Sequence, residues 1–238
     1  AFRTMTIDCS SLLIPVINEV FGKQYTGEEE IVFHPNEHFA NETDGTYERK
    51  ITDSFFSLLS FFGILEDRYV FECQSADDNS MIVRIVEYSI QSALDEGSII
   101  GNHLRLDLPN AAVLYLRSGS LTPDKWTVDV NTPGGNVSYD IPTMKMSDYT
   151  LDDIFEKKLY FLLPFYLFNC EELVKGGEED DKKLNQLLSE LIALNERLER
   201  QMERGEITAY QFYVILEMAK VVSDALAADK PRVKEGID

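Results

Sequence analysis

The sequence predicts an α/β protein: a central mixed β-sheet flanked by helices over residues 1–150, then a helical region over residues 151–238. Three observations carry this reading. Strand-like apolar runs separated by turn residues recur between Glu30 and Met146. A stretch of helical period interrupts them from Asp77 to Gly97. Helical patterning alone governs the chain from Tyr149 onward.

The first element is a buried helix in "DCSSLLIPVINEVFG". Its apolar residues occupy most faces, Ser10 and Ser11 offer caps, Gly22 offers a stop, and Pro15 blurs the start. Glu19 is the lone carboxylate among Ile14, Val16, Ile17, Val20 and Phe21. The strand "EIVFH" follows, then a polar loop from Asn36 to Gly45. "YERKITDSFFSLLSFFGILEDRYVFECQS" reads as two strands joined near Gly63, apolar enough to be central and covered on both faces.

The next stretch, "DDNSMIVRIVEYSIQSALDEG", sets Ile82, Ile85, Val86, Ala93 and Leu94 at helical spacing, and acidic residues stand at its start. Arg84, Glu87, Tyr88 and Gln91 form an opposite polar stripe. Strands return in "HLRLDL" and "AAVLYLRS". They continue in "WTVDVNTPGGNVSYDI", where alternating Trp126, Val128, Val130 and Val137, Tyr139, Ile141 flank a Pro-Gly-Gly turn. One face of this hairpin should be wet.

The C-terminal region opens with "YTLDDIFEKKLYFLLPFYLFNCEELV", in which "LYFLLPFYLF" reads as a buried helix, being half the length a membrane span requires. A charged linker, "KGGEEDDKK", leads to a leucine repeat through Leu184, Leu187, Leu191, Leu194 and Leu198. A turn at "RGEIT" leads to a last helix ending near Asp229. The repeat suits a helical hairpin packed on itself, on the core or on a second copy.

Composition narrows the function. Apolar residues make up 44% and charged ones 27%, an ordinary globular balance. The formal charge of -20 argues against a broad non-specific nucleic-acid surface. A DNA or RNA partner would need a local basic strip or bridging cations. Cys9, Cys73 and Cys170 are few, odd in number and set in apolar runs, which suits a reducing cytoplasm and no disulfide framework. No signal peptide is expected from the opening residues. Neither a phosphate-binding G-x-x-x-x-G-K loop nor a G-x-S-x-G elbow occurs, and Pro35 between His34 and His38 argues against a helical metal pair.

The chemistry concentrates in "YVFECQS". Glu72 and Gln74 alternate with Phe71 and Cys73, so both point to one face of an otherwise apolar strand. Asp53 lies on the strand expected beside it, and Glu19 on the preceding helix. Carboxylates converging across central strands repel unless a cation holds them, and oxygen ligands of this kind suit Mg2+ or Mn2+. The plainer alternatives are polar residues facing water from an edge strand, a solvent-facing Glu19 and a solvated helix stripe.

In order along the chain, "FRTM", "LLIPVINEVFG", "ITDS", "ECQS", "MIVRIVEY", "TPGGNVSYDIP" and "IFEKKLYFLLPFYLF" resemble the PD-(D/E)XK nuclease superfamily, within it the bacterial recombination-promoting nuclease or transposase group. The resemblance implies a restriction-endonuclease-like core and a cytoplasmic, Mg2+-dependent DNA endonuclease, with Mn2+ as a substitute. It implies Asp53 as the motif aspartate, Glu72 as the acid of the E-x-K element and Glu19 as a supporting helix carboxylate. Gln74 stands where the superfamily has lysine; its amide orients a water but carries no charge. The run "SFFSLLSFFGILEDRY" is more apolar than relatives have between the motif strands. Arg84 is the expected phosphate contact, with Tyr88 and Gln91 lining the same groove. Two rival expectations are an inactive nuclease-fold protein with a binding or regulatory role, and an acidic oligomeric scaffold. A homodimer through the C-terminal helices would supply two active sites.

Overall fold

The computed structural model describes residues 1–34, 37–41, 47–51, 54–60, 62–75 and 80–237, with the strands at 37–41 and 47–51 described by their backbone. In chain order, α1 (Phe2–Asp8) leads through a 3-10 turn (Ser10–Leu12) into α2 (Leu13–Phe21). Then come β1 (Glu30–Phe33), β2 (Glu37–Asn41), β3 (Tyr47–Ile51), β4 (Ser54–Leu59) and β5 (Leu65–Gln74). After α3 (Ser80–Asp95) follow β6 (Ser98–Ile100), β7 (His103–Arg105), β8 (Asn110–Tyr115), β9 (Lys125–Thr132) and β10 (Gly135–Lys145). The chain continues with α4 (Leu151–Glu156), α5 (Leu163–Tyr166), α6 (Glu171–Gly177), α7 (Asp181–Glu203), α8 (Ala209–Leu226) and α9 (Pro231–Ile237). No single helix among the described residues is long and apolar enough to cross a membrane.

The chain divides into a sheet unit, Ile17–Lys145, and a helical unit, Ala1–Val16 with Met146–Asp238. Residues 1–16 therefore cluster with the C-terminal helices and not with the sheet. The physical reason lies in the rings: Phe2 meets Phe161 edge-on at 5.5 Å and Phe165 at 5.9 Å.

In the sheet unit, six strands run in the order β1-β4-β5-β8-β10-β9. β1, β4 and β5 form an antiparallel meander whose last turn uses Gly63 at φ +72°, a left-handed conformation that glycine adopts without steric cost. β5, β8 and β10 are parallel, and β9 closes the sheet antiparallel to β10. The sheet is thus mixed, as expected. On one face Phe55, Val70, Ala111, Val113, Tyr115 and Ile141 pack under Met81 and Ile85 of α3. On the other, Tyr69 and Phe71 stack with Phe56, and Phe21 at the end of α2 meets them at 5.1 and 5.8 Å. The two central strands are covered on both faces, which is why their sequences run apolar.

The β9–β10 hairpin pairs Trp126 with Ile141, Val128 with Tyr139 and Val130 with Val137 around Pro133 and Gly134. Its other face is wet: Asp140 accepts from Lys125 at 2.6 Å and Thr127 at 2.7 Å. A strand, β2, occupies the region expected as a loop, paired antiparallel with β3. Its polar residues hid it, since ladder hydrogen bonds use the backbone whatever the side chains are.

In the helical unit, "LYFLLPFYLF" is buried but is not one helix. Lys158 adopts φ 56°, and 3-10 turns at Tyr160–Leu162 and Leu167–Cys170 bracket the short α5. Pro164 stands at its start, where a missing N–H costs nothing. Leu187, Leu194 and Leu198 are buried, so the leucine stripe packs inside its own unit, partly against Cys170, Val174, Ala227 and Val233. α7 ends at Glu203 with Arg204 as its C-cap, and Thr208 with Gln211 forms a capping box on α8. α8 stops at Leu226, and α9, which the sequence reading lacks, returns Arg232 to Asp181 and Glu178 beside the charged linker.

Candidate active site at the carboxyl ends of the parallel strands

Alternation along β5 decides which way the acidic residues face. Val70 belongs to the core beneath α3, so Glu72 and Gln74, at even steps from it, point to the same face. Glu72 stands opposite Val113 in the parallel ladder and is only 3% exposed. A carboxylate this deep is costly to place among apolar neighbours unless a charge or hydrogen bonds meet it. Glu72 is the deeply buried carboxylate of the described core.

The expected partners are placed less uniformly. Asp53 lies outside the described residues. Its chain neighbour Ser54 pairs with Phe71, the chain neighbour of Glu72, in the antiparallel β4–β5 ladder. Glu19 is half-buried on α2, whose Phe21 packs against Tyr69 and Phe71, on the sheet face away from Glu72. Among the described residues no three His, Cys, Asp or Glu side chains gather into a metal-sized group. The donors that Glu72 and Gln74 present are oxygens of a kind that hard divalent cations accept, so the residues fit Mg2+ or Mn2+ in chemistry.

The polar stripe of α3 splits. Tyr88 is buried at 4% exposure together with Ser89 and Ser92, so it packs in the core and does not line a groove. Its ring is large and apolar, which outweighs its hydroxyl in choosing a face. Arg84 donates to Ser80 Oγ at 3.1 Å, and Gln91 donates to Asp95 Oδ1 at 2.8 Å, both along their own helix. Leu94, expected in the core, is 48% exposed.

Tyr115, Arg117 and Lys145, which the sequence reading did not single out, come to the site at the ends of paired parallel strands. Gln74, Tyr115 and Lys145 form one row across β5, β8 and β10. Leu116 extends this ladder by donating its N–H to Gln74 O at 2.8 Å, and Arg117 then donates from Nη1 to Ser75 O at 3.0 Å. Lys145 Nζ meets Asp124 Oδ1 at 2.6 Å. All three sit at or just beyond the carboxyl ends of parallel strands, where open α/β sheets bind ligands. The signal available in the sequence was a basic residue ending each of two apolar runs, "VLYLR" and "IPTMK", in an acidic chain.

The amino-terminal half of β5 holds a second polar cluster. Asp67 Oδ2 accepts from Lys23 at 2.7 Å and Tyr25 Oη at 2.9 Å, and Asp67 Oδ1 accepts from Asn110 at 3.2 Å. Burial works against ionisation of Asp67, but the hydrogen bonds from Lys23 and Tyr25 outweigh it and hold its carboxyl below the usual range. These groups satisfy one another and pin the loop after α2 to the sheet. In the helical unit, burial first and nearby acids second push the Cys9 thiol up to about 11 and Cys170 up to about 12. Neither supplies a thiolate near neutral pH.

Fold and site together define an α/β protein with a buried carboxylate at the carboxyl end of a central strand. No known family model, curated protein or solved structure matches the chain.

Proposed function

We propose that the protein is a Mg2+-dependent DNA endonuclease with a restriction-endonuclease-like core, of the recombination-promoting PD-(D/E)XK type. The observation that carries the reading is Glu72: a carboxylate almost wholly buried on a central strand, one step beyond the Ser54–Phe71 pair that adjoins Asp53 in the chain. Asp53 and Glu72 would hold Mg2+ or Mn2+. Glu19, on the helix that packs against the opposite sheet face, is left out of this metal set.

When bound, the cation supplies a water of lowered pKa and a counter-charge for the scissile phosphate. The protein's own groups do the rest. Glu72 would present its carboxyl oxygens to the cation where little bulk water can compete for them, and the Gln74 amide would orient the attacking water. Cutting both strands of a duplex takes two such sites, hence two copies. A homodimer through the C-terminal helices would have to use their outer faces, such as Ile192 at 59% exposure and Tyr213 at 60%, because the leucines face inward. The inactive, DNA- or protein-binding alternative draws support from the charge of -20 and the uncharged Gln74.

Nicking of supercoiled DNA with and without Mg2+ tests the proposal. Wild-type cleavage should be lost in Asp53→Ala and in Glu72→Ala; cleavage that survives both is contamination, and no wild-type cleavage favours the inactive alternative. The isosteric Glu72→Gln separates site from scaffold. It should leave Tm within a few degrees of wild type while abolishing Mg2+-dependent cleavage, because it keeps the side chain's shape and removes only the carboxylate that would hold the cation. A drop of several degrees would make Glu72 a structural residue.

A further inference from the structure

A chain of charge -20 needs bridging cations, or a local concentration of positive charge, to approach DNA. The carboxyl ends of the parallel strands provide one. Arg117 is exposed, and its Nη1 bond to Ser75 O fixes the guanidinium beside the residue that follows Gln74. Lys145 lies in the Gln74–Tyr115 row, one strand beyond Tyr115. With adjacent strands roughly 4.8 Å apart, its backbone stands about 10 Å from that of Gln74. Its side chain is 15% exposed and its ammonium meets Asp124, itself 95% exposed at the rim. Arg84, the basic residue expected at this place, donates along its own helix.

We propose that Arg117 is the phosphate-binding residue of this site, supplying to a DNA phosphate the positive charge that the Gln74 amide cannot, with Lys145 as a second contact along the same strand ends. The inference rests on the nuclease reading. A guanidinium presents five donors in a planar fork, so it can hold the Ser75 carbonyl and a phosphate oxygen at once. The carbonyl contact pre-orients the group, which reduces the ordering cost of binding.

The test is duplex binding by fluorescence anisotropy over a salt series, in Mg2+, on the Glu72→Gln background so that no turnover intervenes. Arg117→Gln retains a donor for Ser75 O but removes the charge. It should weaken binding about tenfold and flatten the log Kd against log salt slope by about one, alike for unrelated sequences. Arg117→Lys should restore the slope. In the otherwise wild-type protein, Arg117→Gln should lower cleavage at least tenfold while leaving its Mg2+ dependence in place. Unchanged slope and cleavage in Arg117→Gln, with an active wild type, overturn the role of Arg117 and leave the nuclease reading standing. A wild-type protein that neither binds nor cuts DNA overturns both.

Discussion

Lys23 Nζ and Asp67 Oδ2 meet at 2.7 Å, joining the loop after α2 to the middle of the sheet across 44 residues of chain. The folded carboxyl titrates below its ordinary value. Its stabilising contribution is therefore complete above the unfolded value of about 3.9 and is lost as pH falls through the folded one. Asp67→Asn should cost about 1–2 kcal/mol at pH 7, at the modest end for a charged hydrogen bond because the pair is partly exposed. Urea denaturation at pH 7 and at pH 3 checks this: the gap between variant and wild type should narrow in acid. A gap that is equal at both would disprove the linkage.

Trp126, the single tryptophan, donates its indole N–H to the Tyr115 hydroxyl at 3.1 Å, tying the edge hairpin to β8. Tyr115→Phe should cost about 1 kcal/mol and shift the Trp126 emission. Denaturation followed by fluorescence reads both quantities from one probe. An unchanged spectrum would mean that the bond does not form in solution.

The leucine stripe offers a contrast within one helix. Leu198 is fully buried, and Leu198→Ala should cost about 2–5 kcal/mol through the cavity it leaves. Ile192 is 59% exposed, and Ile192→Ala should stay within about 0.5 kcal/mol. Thermal melts measure the difference, and light scattering should show the same mass for Leu198→Ala and wild type below the melt. Dissociation of an oligomer by Leu198→Ala would return the stripe to an interface.

Local rules made much of the fold legible. The helical period around Met81 and Ile85, the turn at Pro133 and Gly134, the Gly63 turn and the turn between Arg204 and Thr208 each depend on residues within a few positions of one another. Where local composition misled, a longer-range term won. Tyr88 is buried on the α3 face that also carries Met81 and Ile85, the two residues of that face that pack on the sheet. The apolar run at Leu159–Phe168 broke into short turns, with Lys158 in a left-handed conformation and Pro164 in its middle. β2 passed for a loop because its ladder is a backbone interaction.

By itself, the sequence determined the alternation that sends Glu72 and Gln74 to one face, the α/β class, and the alignment of the leucines along one helix face, since each follows from the fixed periods of strand and helix. Only the tertiary structure decided that Glu72 is buried, that Glu19 belongs to a helix on the other face, and that Tyr115, Arg117 and Lys145 gather beside Gln74. Parallel strand pairing joins segments separated by dozens of residues, and its register is set by packing of the whole sheet under α3. No short stretch of sequence carries that information.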